Sequence, residues 1–257
     1  MSNLVEYEAY TAEDAQQELE SMETSRFLKL EPGNTLVRFV PPRKGEGLFF
    51  VTYTHFLSFT GDDGKRKQFS VNCPRMMTKG QKGCPFCDRA QELQSRGGAD
   101  AEAAKDLWPR RRVYSNVIDR DNPEKGVQVM PFGKKVHQEL AKLRRDKVAG
   151  GDFADPLKGF DVVIERTGTG QFDTEYTVRR VPDRSRLAPT VPEMNELIAN
   201  QPTLSRQGEL IEYGQLQVIG APILGTPTNG LTPEAAALPP AETPADDGMG
   251  GGDDIPF

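Results

Sequence analysis

A mainly β architecture is predicted for this chain of 257 residues by three observations. Short runs of β-branched and aromatic residues are separated by Gly, Pro and Asp clusters, and one stretch only has a strong amphipathic helical period. There are also 25 glycines and 20 prolines against 8% aromatics, a balance that favours a compact domain with long loops over a helical bundle. The strand–helix alternation of a parallel nucleotide-binding sheet is missing, as are a phosphate-binding loop and a dinucleotide fingerprint.

Residues 6–24 carry a weak helical period (Ala9, Ala12, Ala15, Leu19), with Thr11 and Asp14 as a capping signal. Leu36 to Val40 reads as a short strand stopped by Pro41-Pro42. Leu48 to Phe59 is twelve residues of β-formers ended by the turn Gly61-Asp62-Asp63-Gly64. Alternation places Phe49, Val51, Tyr53, His55, Leu57 and Phe59 on one face, and Phe50, Thr52, Thr54, Phe56 and Ser58 on the other. Lys65 to Val71 returns as a strand, a helix runs over roughly 88–94, and residues 95–107 form a polar, Ala-rich insert.

Arg110 to Ile118 is a strand opened by three arginines, with 121–126 as a hairpin loop and Val127 to Phe132 as its partner. Gly133 to Lys147 is the amphipathic helix, with Val136, Leu140 and Leu143 inward. Phe160 to Thr167 and Phe172 to Val181 make the last hairpin, and Val191 to Ala199 a short helix. Five or six antiparallel strands with one helix between two hairpins fit a five-stranded, partly open barrel of the OB type. The predicted division is an acidic arm at 1–25, a barrel core at 26–222 with an inserted subdomain at about 55–95, and a flexible acidic tail at 223–257.

The net charge is −6, which taken whole argues against a polyanionic partner. Its distribution points the other way. Residues 1–25 hold seven acids and no Lys or Arg, and residues 234–257 hold six acids and no basic group. Setting those thirteen aside leaves 32 basic against 25 acidic side chains in the body. A cationic body between two anionic ends suits a polyanion ligand for which the chain's own termini compete. The tail, rich in Pro, Gly and Ala, lacks the apolar area to offset the entropy of ordering it. Yet it ends in Asp253, Asp254, Ile255, Pro256 and Phe257, a tip whose apolar pair and terminal carboxylate a partner's pocket can hold. A merely solubilising tail is the plainer alternative. No apolar run is long enough to span a membrane, and the first 23 residues lack the basic start and apolar stretch of an export signal, so a cytoplasmic protein is expected.

In that compartment three cysteines read as thiolates rather than disulfides. Cys84 and Cys87 form a CxxC, Cys73 lies eleven residues before it, and His55 lies eighteen before that. Four such ligands suit one tetrahedral Zn²⁺ in a closed, structural site. A thioredoxin-like redox pair and inert buried thiols are the alternatives, and His137 is the other candidate for fourth ligand.

Cations and rings alternate at three places: Arg110, Arg111 and Arg112 beside Tyr114; Lys65, Arg66 and Lys67 near Phe59; and Lys134 and Lys135 after Phe132. Spaced cations with exposed rings are what a single nucleic-acid strand needs; Tyr114 is the leading candidate stacking ring, and Tyr53, Trp108 and Phe50 are further candidates, with core packing the plainer role for Phe50. Charged residues flanking strands in any soluble domain are the plainer alternative here too.

The stretch Arg110 to Leu140, with its RRRVYSNVI strand, DNPEKG loop and PFGKKVHQEL turn into a helix, resembles the single-stranded DNA-binding (helix-destabilising) proteins of T-even-type phages. The order His55, Cys73, Cys84, Cys87 resembles the zinc subdomain inserted in that family's OB fold, and the likeness covers about 28–181. It implies that Arg110 to Arg112 line the DNA cleft, that Tyr114 takes the position of a stacking aromatic and that the turn Phe132 to Lys135 sits close by. The acidic arm departs from the family's basic one, so cooperative binding by the family's route is not expected. The tail tip is similar to that of bacterial single-stranded DNA-binding proteins, which dock on replication, recombination and repair proteins.

The expected function is therefore a non-enzymatic coat for single-stranded DNA in the cytoplasm of a bacterial host cell, recruiting replication, recombination or repair proteins through its tip. A zinc-ribbon adaptor that binds only proteins is the first alternative. A metal-dependent nuclease built on Asp119, Asp121 and Glu124 is the second.

Overall fold

The computed structural model describes residues 26–61, 64–146, 148, 151–168 and 173–225. The acidic arm, the tail and its tip Asp253 to Phe257 lie outside the described residues. Seven strands form one antiparallel sheet: β1 (Gly33–Phe39), β2 (Phe50–Thr60), β3 (Arg66–Asn72), β4 (Arg110–Asp119), β5 (Val127–Phe132), β6 (Phe160–Thr167) and β7 (Glu175–Arg184). The architecture fits an OB-like fold with insertions. The count exceeds the five expected because each run of β-formers pairs into the same sheet.

β4 organises it. Arg110 to Tyr114 pair with β2, Val117 to Asp119 pair with β1, and Val113 to Ile118 pair with β5 on the opposite edge. β1 continues to β6 and β6 to β7. Alternation in β6 sends Phe160, Val162 and Ile164 inward, where they meet Val37, Phe39, Val113, Val117, Met130 and Phe132. α4, the helix Lys134–Arg145, closes this core with Val136 and Leu140, and three cations in its last turn suit the carbonyl end of its dipole.

Within the core lies a fully buried Arg38. Its Nη1 donates to Phe153 O at 2.7 Å and Phe160 O at 2.8 Å, and its Nη2 donates to Asp155 O. Burial lowers its pKa to about 10, partly countered by Asp161. Gly159 is required there because a Cβ would collide with the Arg38 guanidinium.

The insert between β3 and β4 holds three helices: α1 (Pro74–Met77), α2 (Pro85–Arg96) and α3 (Gly98–Lys105). The polar, Ala-rich stretch at 95–107 is thus mostly helical, since Ala-rich sequence can propagate a helix once neighbours anchor it. These helices and the outer half of β2 enclose a second core of Leu57, Phe69, Val71, Phe86, Ala90, Leu93, Ala104 and Leu107. After β7 come α5 (Val191–Asn200), opened by a Thr190–Glu193 capping box, a 3₁₀ turn (Leu204–Gly208), α6 (Tyr213–Ile219) and α7 (Ala221–Leu224). Met194 packs with Val40, Ile118 and Leu187 in a separate small cluster, Leu204 packs with Tyr114 and Val129, and Leu216 is buried in the second core.

Candidate metal centre and nucleic-acid interface

Three local structures deliver four ligands to one point. His55 lies on the inward face of β2 opposite Val71, and the β3 strand hands the chain to Cys73, whose N–H donates to Tyr53 O at 2.7 Å. Cys73 is the N-cap of α1 and Cys84 the N-cap of α2, each followed by a proline at the first helical position; Cys87 sits in the first turn of α2. The four ligand atoms lie within 4.8 Å of one another, and all four residues are buried. The Sγ atoms of Cys73 and Cys87 are 3.4 Å apart, and His55 Nε2 is 3.2 Å from Cys84 Sγ. His55 Nδ1 lies 2.6 Å from Leu107 O, which fixes the proton on Nδ1 and leaves Nε2 for an ion.

Without an ion, burial opposes a charged His55, but hydrogen bonds to the Cys73 and Cys84 sulfurs outweigh it and raise the pKa to about 9. Hydrogen bonds from Cys73 and Cys87 push the Cys84 thiol down, as expected of a thiolate shared among crowded sulfurs. These residues could hold one metal ion with no position left over, which is the arrangement of a structural site. Cys73 belongs to the cluster, against the redox-pair alternative. His137 does not: it packs on Phe49, ring centroids 4.8 Å apart.

The strand register splits the arginine triplet. Arg111 stands opposite Tyr53 on the inward face, while Arg110 and Arg112 stand opposite Thr54 and Thr52 on the outer face. Tyr53 is half-buried at the edge of the second core, and its neighbour Val51 borders the first. The Tyr53–Arg111 pair therefore marks the seam between the two cores. Phe132 pairs with Val113, so the chain continuing into Gly133 and Lys134 approaches Arg111. Partial burial, then the charge of Arg111, lower the pKa of His137, one turn into α4. The amino end of α4 has no acidic residue and no side-chain cap, and its uncapped helix end with Lys134 and Lys135 favours an anion.

Three expected contacts are corrected. Tyr114, expected to stack on bases, is only 3% exposed and packs with Val129 and Leu204. Arg112, expected in the cleft, is 1% exposed, its guanidinium 5.6 Å from the Phe56 ring centre. Phe132 is a core ring, because the alternation of β5 turns it inward beside Val113. Phe59 and Lys67 do pair across β2 and β3, with Lys65 just before that strand, but six residues beyond Tyr53 and on the far side of the metal site. They are not part of the seam.

Sequence reasoning missed Asn72 and Asn116, whose amides anchor the segment after α5. Nothing in their neighbourhood signals it, because their partners lie 135 and 86 residues away. The acidic group is structural at its best-placed member. Asp119 accepts from the Asp121 N–H at 2.9 Å and from the Asn122 amide at 2.8 Å, which ties the hairpin loop. Among the described residues no helix is long and apolar enough to cross a membrane.

The profile of the family described as gp32 DNA binding protein like matches residues 31–213, well over half of the chain. No curated protein matches. The match includes most of both cores, all four metal ligands and the Tyr53–Arg111 seam.

Proposed function

Because the chain belongs to the gp32-like DNA-binding protein family, we propose that it binds single-stranded DNA stoichiometrically, without catalysing a reaction on it. The observation that carries this is the seam, where Tyr53 lies across from Arg111 and the cationic amino end of α4 adjoins. Phosphates would follow Arg111, Lys134 and Lys135 while a base stacks on Tyr53, giving weak sequence preference and strong salt dependence. Binding one strand only pulls duplex melting by mass action.

Three thiolates and an imidazole, with no further protein ligand among the described residues, would suit Zn²⁺ held structurally. Its role is to hold the insert that forms one wall of the seam. The acidic tail competes for the cationic body in the absence of DNA, and its tip Asp253 to Phe257 engages replication, recombination or repair proteins in the cytoplasm of a bacterial host.

Fluorescence anisotropy with an oligothymidylate at two salt concentrations tests the reading. Arg111→Ala should weaken binding and lower the salt slope by about 1 while leaving thermal unfolding unchanged. An unaltered affinity and slope would remove the seam from the interface. Removing residues 234–257 should tighten binding at low salt, and unchanged affinity would refute the competition.

A further inference from the structure

The loop Thr78 to Gly83 joins α1 to α2 and delivers Cys84 to the ligand cluster. Bonds within it tie its first part: the Gly80 N–H donates to Arg75 O at 2.7 Å, the Gln81 N–H to Thr78 O at 3.2 Å and the Lys82 N–H to Thr78 Oγ1 at 3.0 Å. Its last two residues are held from far along the chain. Lys82 Nζ donates to Glu212 Oε1 at 2.8 Å, and Gly83 lies against the ring of Tyr213, where a Cβ would stand 3.2 Å from Cδ2. The next residue is Cys84.

Tyr213 also reaches behind the other two cysteines. Its hydroxyl donates to Asp88 Oδ2 at 3.0 Å, and the other oxygen of Asp88 accepts from Arg75 Nη2. Arg75 stands two residues after Cys73, and Asp88 one after Cys87. One carboxylate thus joins both cysteine-bearing helices to the start of α6. The attachment continues through α6 and α7: Leu216 is fully buried in the core that contains the three thiols, Gly220 lies on the Phe86 ring, and Ile219, Ile223 and Leu224 pack against the same core. Phe86 in turn is 5.3 Å from the His55 ring, centre to centre. Helices of seven and four residues are not stable alone, so their place is set by what they cover.

We propose that residues 211–224 form a clasp that retains the metal, with Tyr213 as the positioning residue that holds the Cys84 loop and, through Asp88, the helices bearing Cys73 and Cys87. The clasp supplies no ligand. It acts from outside them, where hydrogen-bonding partners govern about 10–100-fold of a site's metal affinity. Most of it lies past residue 213, where the family match ends, so metal retention in this chain draws on a segment beyond the matched region. The inference rests on the metal-binding reading and adds residues to it.

Mixing the full, zinc-loaded chain with an excess of a chromogenic zinc chelator tests it, with release of the ion followed by absorbance. Tyr213→Ala should release zinc about tenfold faster, and Tyr213→Phe, which keeps the ring on Gly83 but loses the bond to Asp88, about threefold faster. Amide exchange in β1 and β6 should match the natural chain in both variants. Release at the natural rate from Tyr213→Ala overturns the clasp and leaves the metal site standing, whereas a natural chain that takes up no zinc overturns both. Faster release with equally faster exchange in β1 and β6 assigns Tyr213 to general stability and also overturns the proposal. Should Tyr213→Ala not fold, Tyr213→Phe decides by the same outcomes.

Discussion

The two cores of this molecule are of similar breadth and are held by different means. The barrel core gathers Phe39, Phe132, Phe153 and Phe160 with seven or more aliphatic side chains around a sheet, and satisfies its one buried guanidinium with backbone carbonyls. The insert's core has short helices of four to twelve residues, rings at Phe69 and Phe86, and three thiols and an imidazole at its centre. Helices that short are not stable alone, so the insert depends on the bond network of its ligands where the barrel depends on burial. Sequence distance tells the same story: the ligands fall within 33 residues, while Arg38 reaches partners more than 110 residues away.

Removing the ion should break this contrast most widely. Zinc-finger peptides hold their metal with about 10–16 kcal/mol, nearly all of it available to folding. Chelation, or Cys84→Ser, should abolish amide protection in α2 and the outer half of β2 while β1 and β6 keep theirs, as hydrogen exchange will show. Loss of protection everywhere at once would mean that the cores are one cooperative unit. Next in size, Arg38→Ala should cost the barrel about 3–5 kcal/mol in urea unfolding, because it strands two buried carbonyls and a part-buried third and empties the space beside Gly159. Metal affinity should not change.

The smallest effect sits between the cores. His137 has a folded pKa below its unfolded value near 6.5, so above that pH it is neutral in both states and contributes nothing. As pH falls through about 6.5 the unfolded chain takes the proton first, and stability declines until the pH passes the lower folded value. Urea midpoints at pH 7.5 and 5.5 should therefore differ more for the natural chain than for His137→Phe. Equal differences would show that this ring's environment is as polar as water.

The strands, the amphipathic helix and the four ligands were legible because each rests on a local period or spacing. Val136 and Leu140 point inward as their spacing predicts, and the CxxC opens a helix as its flanks suggest. The surroundings of the residues expected to meet nucleic acid were legible only in part. Alternation alone assigns Arg111 and Tyr114 to opposite faces, but it does not reveal which face another part of the chain will cover. Tyr114 is buried by Leu204, ninety residues on, in a stretch whose own pattern is too weak to announce a strap. Side chains whose setting is made by distant, polar, irregular segments are those on which sequence reading fails.

β2 passes through both regions without a break. Thr54 marks the handover: it pairs with Arg110 of β4 on one edge and with Asn72 of β3 on the other. A strand clamped at its root by the barrel and loaded at its tip by the insert behaves as a cantilever, and Tyr53 sits next to the clamp. Any tilt of the insert, whether from loss of its ion or from a protein docking on it, would be delivered as a change in angle at Tyr53, which stands opposite Arg111. If the proposed seam holds the strand, its grip would be altered from some distance without touching a single phosphate contact.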